Sequence, residues 1–182
     1  GVGKTISTIY PALKELGEEK AENIFYLTAK TITRTVAEDT IKLLKKQGLS
    51  VSAVTITAKE KICIQKEVQC NPESCERAKG HFDRINEALY ALLDSACDIS
   101  RENLLLYAER YNVCPYELSF EAAVWSDCII CDYNYVFDPH VNRKSLIEGS
   151  LRQNIYLIDE AHNLLDRARD MYSADIAKSD FN

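Results

Sequence analysis

The chain opens on Gly1-Val2-Gly3-Lys4-Thr5 and, near its far end, carries the apolar run Ile155-Tyr156-Leu157-Ile158 followed by Asp159-Glu160-Ala161-His162. Together these two features constrain the fold more than anything else in the sequence. A glycine turn that feeds an amphipathic helix offers backbone N–H groups and a helix N-terminus to phosphate oxygens. In that reading Gly1 and Gly3 shape the turn, Lys4 reaches the β- and γ-phosphates of a nucleotide, and Thr5 ligates Mg²⁺. An apolar strand ending in two carboxylates delivers them to the edge of a parallel sheet. Asp159 would then hold Mg²⁺ through a water, and Glu160 would orient and deprotonate an attacking water. Taken singly, the first motif is also a glycine turn with an N-cap threonine, and the second a helix start whose acids suit the macrodipole. Their order along one chain favours an ATP site, with ATP as substrate.

The pattern between them divides the chain in three. Residues 1–57 read as loop, helix, strand, helix, strand, the alternation of a parallel α/β sheet. Ile6, Ile9, Tyr10, Leu13 and Leu16 follow helical spacing up to Gly17, and Ile24–Leu27 forms a short buried strand. A second helix is predicted over Thr31–Gln47, stopped by Gly48, and a second strand over Val51–Thr57. In residues 58–125 the strand alternation disappears, five of the seven cysteines appear, and helices are predicted over Glu76–Leu93 and Arg101–Tyr111. This is an inserted module. Residues 126–182 resume the sheet at Cys128–Cys131 and again at Ile155–Asp159.

With 46% apolar and 27% charged residues, the composition is that of an ordinary globular chain. No apolar run approaches the roughly 18 residues a membrane span needs, and there is no signal-peptide pattern. A cytoplasmic protein is expected, nucleoid-associated if bacterial, with no membrane partner. The net charge of −6 argues against nucleic-acid binding by bulk charge, although Lys42, Lys45, Lys46, Lys59, Lys61 and Lys66 fall in one stretch. A first residue other than Met, inside a motif, leads to the expectation that sequence upstream is missing.

Cys63, Cys70, Cys75 and Cys114 lie between the two ATP motifs. Four thiolates can hold a [4Fe-4S] cluster or a structural Zn²⁺, or can be inert buried thiols, and no CxxC pair among them decides. Cys128 and Cys131 do form a CxxC, but on a strand positions three apart face opposite sides, so these two and Cys97 are read as ordinary thiols.

Asp-Glu-Ala-His after a P-loop resembles superfamily 2 helicases. The segment Ala58-Lys59-Glu60-Lys61-Ile62-Cys63, two further cysteines, a helical spacer and Cys114-Pro115-Tyr116 resemble the iron–sulfur module of XPD/DinG-type helicases. It stands where that family inserts it, after Tyr26-Leu27-Thr28-Ala29-Lys30-Thr31 and before Asp132-Tyr133-Asn134-Tyr135-Val136-Phe137-Asp138-Pro139. The resemblance spans the chain. It implies a RecA-like first motor domain, truncated at the P-loop and interrupted by a mainly helical module that holds a [4Fe-4S] cluster on Cys63, Cys70, Cys75 and Cys114. His162 would couple the nucleotide site to other motor motifs. Thr28, Lys30, Thr31, Arg34 and Lys59 would meet DNA, and Tyr133 and Tyr135 are candidates for base stacking or core packing.

The resemblance further implies a monomeric motor that moves 5′ to 3′ on single-stranded DNA and opens forked DNA in repair or replication. A second motor domain and an arch-like insertion after the DEAH segment are expected beyond this chain, which alone would hydrolyse ATP poorly. The close spacing of Cys63 and Cys70 departs from relatives with a longer loop there. Two other readings fit the same residues: a zinc-stabilised P-loop ATPase acting on RNA or protein, and a non-catalytic nucleic-acid-binding or redox-sensing module.

Overall fold

The computed structural model describes residues 2–95, 99–141, 146 and 153–174; Gly1 and Cys97 lie outside them. Four strands, β1 (Asn23–Leu27), β2 (Ala53–Thr55), β3 (Cys128–Cys131) and β4 (Asn154–Ile158), form one sheet in the order β2-β3-β1-β4. All three pairings are parallel, with Leu27 opposite both Cys131 and Ile158. Parallel pairs need crossovers, which places helices on the faces and leaves the central strands dry on both sides. β1 and β3 are accordingly buried along almost their whole length.

One face is covered by α1 (Val2–Gly17) and α2 (Thr31–Lys46). Ile9, Ala12 and Leu13 of α1 and Ala37 and Ile41 of α2 pack against Ile24, Tyr26, Cys128 and Ile130. Tyr10, expected on that inner stripe, is exposed. The helix runs from Val2, so Gly3 and Lys4 lie in its first turn rather than in a loop before it. Their N–H groups are still first-turn donors, which have no intrahelical acceptor. α2 ends with Lys45 and Lys46 in its last turn, where cations favour the helix dipole, and Gly48 at φ +95° turns the chain.

The other face is covered by α3 (Lys59–Ile62), α4 (His81–Asp94), α5 (Arg101–Arg110) and α6 (Pro115–Val124). Residues 58–125 therefore do not hang from the sheet as a satellite. Ile62, Ile85, Leu92, Leu104, Leu118 and Phe120 share one core with Phe25, Leu27, Val54 and Ile129. The helix predicted over Glu76–Leu93 begins only at His81, because Gly80 takes a left-handed conformation, φ +67° and ψ +25°, that a right-handed helix cannot continue through. α6 starts on Cys114 with Pro115 in its first turn, where the missing N–H costs nothing.

After α6 the chain re-enters the sheet at a fixed register. The Asp127 carboxylate accepts from Ser52 N (2.7 Å) and Ser52 Oγ (2.8 Å), and Ser52 Oγ accepts from Asp127 N (2.9 Å). Beyond β3 come α7 (Asn134–Phe137), β4, a 3₁₀ turn at Ala161–Asn163, and α8 (Leu164–Met171). No helix among the described residues is long and apolar enough to cross a membrane.

Candidate functional site

The parallel strands end side by side, so the residues that follow them converge on one edge of the sheet, where open α/β sheets place their ligands. Thr28 follows β1, Asp132 follows β3 and Asp159 follows β4, and Asp159 N donates to the Leu27 carbonyl at 2.9 Å. Tyr26 points to the α1 side of the sheet. Burial first and the Asp159 carboxylate second push the pKa of its hydroxyl up, and nearby Thr5 opposes them. The candidate Mg²⁺ ligands from opposite ends of the sequence thus both influence a single tyrosine.

Asp159 is held from the other side as well, its carbonyl accepting a hydrogen bond from the Tyr133 hydroxyl. Its carboxylate oxygen Oδ2 is buried and has no hydrogen-bond partner. An unsatisfied buried carboxylate oxygen is costly, and a hydrated divalent cation is the kind of group that satisfies one. Glu160 stands next to it in a left-handed backbone conformation, φ +52° and ψ +43°. Non-glycine residues held there store strain, and such residues concentrate at working sites. Glu160 Oε2 lies 3.6 Å from Lys30 Nζ and 3.3 Å from His162 Nε2.

Beside this edge, a cavity of about 220 Å³ gathers four of the five candidate DNA residues, Thr28, Lys30, Thr31 and Arg34, with Lys61 and Asn134. Lys59 is not in its lining and instead sets its ammonium 4.9 Å from the centre of the Tyr116 ring. Thr28 is buried, sharing a hydrogen bond with the Thr33 hydroxyl and accepting from Lys30 N at 3.3 Å, so its side chain shapes the turn rather than the surface. Tyr133 and Tyr135 are buried, which excludes base stacking and leaves the packing role.

The four candidate cluster cysteines sit on or beside segment 63–80, which contains turns but no helix or strand. Cys63 ends α3, Cys70 is exposed in the loop, Cys75 closes a turn on the Asn71 carbonyl at 2.9 Å, and Cys114 starts α6. Hydrogen bonds tie these stretches together. Gln65 Nε2 donates to the Ser74 carbonyl (3.1 Å), Arg84 Nη2 to the carbonyls of Lys79 (2.7 Å) and Asn112 (2.9 Å), and Cys114 N to His81 Nδ1 (3.5 Å). Burial pushes the Cys114 thiol up, and Cys70 is near enough to add to the shift. Among the described residues, however, no three His, Cys, Asp or Glu side chains are gathered closely enough to hold a metal ion. The four thiols expected to form one ligand set therefore do not form a closed one here, and the cause is local: only turns fix the segment that carries three of them. Cys128 and Cys131 are buried on opposite faces of the sheet, and burial pushes both thiols up, Cys128 to about 12.

The DEAD_2 family pattern matches residues 26–181, most of the chain. This chain belongs to the DEAD_2 family. Among curated relatives it is 36% identical over 81 residues to the Fanconi anemia group J protein homolog of Gallus gallus, covering 44% of this chain and 6% of that protein. It is 29% identical over 160 residues to the Regulator of telomere elongation helicase 1 homolog of Oryza sativa subsp. japonica, covering 79% and 15%. With ATP-dependent DNA helicase chl1 of Schizosaccharomyces pombe the values are 28% over 152 residues, 75% and 18%. A solved structure titled XPD helicase superposes with a TM-score of 0.62 at 16% identity, over 94% of this chain and 29% of that one, which establishes the shared fold. The chain thus spans less than a fifth of the length of these curated relatives and 29% of the solved chain.

The DEAD_2 match takes in the last two residues of β1, the cleft, all four candidate cluster cysteines and Asp159–His162, and starts after α1, so the nucleotide reading of Lys4 and Thr5 rests on the sequence motif. ATP and Mg²⁺ are what a helicase family of this kind is expected to use. Tyr26, His81, Arg84 and Asn134 stand at the candidate site without a role expected from the sequence, and Lys61 was expected only as part of a basic stretch. Of the others, Tyr26 alone gave a signal, as a polar-tipped residue inside an otherwise apolar strand.

Proposed function

We propose that the protein carrying this chain is an ATP-dependent DNA helicase of the iron–sulfur type, which couples hydrolysis to 5′ to 3′ movement on single-stranded DNA and opens forked DNA in repair or replication. The observation that carries the reading is the Asp159 Oδ2 oxygen, buried and unpartnered at the strand edge. Lys4 and the first-turn N–H groups of α1 hold the phosphates, Thr5 and Asp159 hold Mg²⁺, and Glu160 orients the attacking water and takes its proton. Mg²⁺, when bound, supplies the positive charge that steadies the phosphates during transfer. Lys30, Thr31 and Arg34 contact DNA phosphates around the cleft, independent of sequence, and the similarity to the ATP-dependent DNA helicase chl1 supports DNA as the substrate.

We assign Cys63, Cys70, Cys75 and Cys114 to a [4Fe-4S] cluster. The donor set suits it, and a cross-link among these thiols would fix a segment that otherwise has only turns to order it. The test uses the full-length protein purified without oxygen. Glu160→Gln and Lys4→Ala should each lower DNA-stimulated ATP hydrolysis by about 100-fold or more; full activity in either variant would remove the ATPase reading. About four iron and four acid-labile sulfide per chain, lost in Cys114→Ser, are expected. Zinc without sulfide would instead make the protein a zinc-stabilised ATPase.

A further inference from the structure

Lys30 stands at two sites at once. It caps the start of α2 and lines the cleft beside Thr31 and Arg34, yet its ammonium lies 3.6 Å from Glu160 Oε2, the oxygen that His162 Nε2 also approaches, at 3.3 Å. The carboxylate that would take a proton from the attacking water is therefore occupied from two directions. We infer that Lys30 is a positioning residue that holds Glu160 away from its hydrolytic position until a nucleic-acid phosphate draws the lysine into the cleft. The inference rests on the reading of Glu160 as the residue that orients water.

Three properties suit the pair to that task. It is weak: the side chains of Lys30, Glu160 and His162 are 59%, 38% and 72% exposed, and ion pairs this open are screened and contribute little. A DNA phosphate, itself a full negative charge backed by the cations of Arg34 and Lys61 in the same cleft, competes with one screened carboxylate. It joins side chains on different strands' ends, so exchanging Lys30's partner requires only side-chain rotation and no movement of the sheet. Glu160 itself is held in a left-handed backbone conformation, from which release of the side chain permits a second arrangement.

The two sites are then linked, and linkage is reciprocal. What frees Glu160 when DNA binds must also make DNA bind more tightly when Glu160 is removed. The experiment uses the full-length protein and a fluorescein-labelled oligothymidylate. Lys30→Ala should raise ATP hydrolysis without DNA by about 1.5-fold to fivefold, the range an exposed pair supplies, and lower the stimulation by DNA. Lys30→Arg should return the DNA-free rate to the wild-type level. In nucleotide-free anisotropy titrations, Glu160→Gln should tighten oligothymidylate binding by a similar factor, and the gain should vanish in the Lys30→Ala/Glu160→Gln double variant.

An unchanged or lowered DNA-free rate in Lys30→Ala, with weaker DNA binding alone, would overturn the inference and leave Lys30 a plain phosphate contact. Unaltered DNA affinity in Glu160→Gln would overturn it as well. Failure of the underlying function reads differently: Glu160→Gln would then keep its hydrolysis whatever Lys30→Ala does.

Discussion

The Tyr26 hydroxyl feels both the Asp159 carboxylate after β4 and Thr5 on α1, and Tyr26→Phe removes that one oxygen while keeping the ring in the core. Loss of that hydroxyl predicts no more than about 1 kcal/mol of stability, read by urea unfolding, and a shifted Mg²⁺ concentration for half-maximal hydrolysis, because a polar group that feels both Thr5 and Asp159 is gone. Cys128 supports a prediction of a different kind. Its thiol is held neutral by burial, with its folded pKa raised from 9.0 to about 12. A thiol with a raised folded pKa contributes stability that is fully present below its unfolded pKa and is lost as pH rises through the folded value. Stability should therefore fall between pH 9.0 and about 12, and Cys128→Val, which cannot ionise, should fall less steeply over that window in pH-dependent thermal melts. At this scale the catalytic candidates were legible because acids after an apolar strand and a Gly-x-Gly-Lys-Thr turn are local patterns. The side chains that tie them were not, since Tyr26 meets Asp159 only through a register that no local pattern fixes.

Elements divide along the same line. The expected bounds of α2 and α5 differ from those observed by one residue at the C-terminal end, because helical spacing and a following turn are both local. The start of α4 was five residues off because the left-handed Gly80 is set by what surrounds it. A Cβ there would stand 2.8 Å from Arg84 Nη1, and the backbone sits at φ +67°. Gly80→Ala should cost about 1–2 kcal/mol from the backbone alone. It should also displace the Arg84 guanidinium from the Asn112 carbonyl and so loosen the stretch leading to Cys114. Thermal unfolding would read the first effect, and faster loss of metal to a chelator the second. The ties from Arg84 to Asn112 and from His81 to Cys114 join residues far apart in sequence, and neither could be read before the helices were packed.

For the molecule as a whole, the sheet separates two sets of candidates: α1, with Lys4 and Thr5, packs on one face, and α3–α6, with the candidate cluster cysteines at their ends and in the loop after α3, pack on the other. Removing iron from the full-length protein with a chelator should open segment 63–80 first. Limited trypsin digestion should then cut at Lys66, Arg77 or Lys79 before any strand is reached, and equal cleavage with and without iron would show that no cross-link holds the segment. The two halves cannot be separated, because Phe25, Leu27, Val54 and Ile129 have the inner sides of α4–α6 as their cover. A transplant that moved the cysteine segment into another motor as a cassette, or excised it from this one, would leave one wall of the sheet bare to water. Such a chain would go to inclusion bodies rather than become a motor lacking one accessory, so any swap must carry the matching sheet residues along with the cysteines.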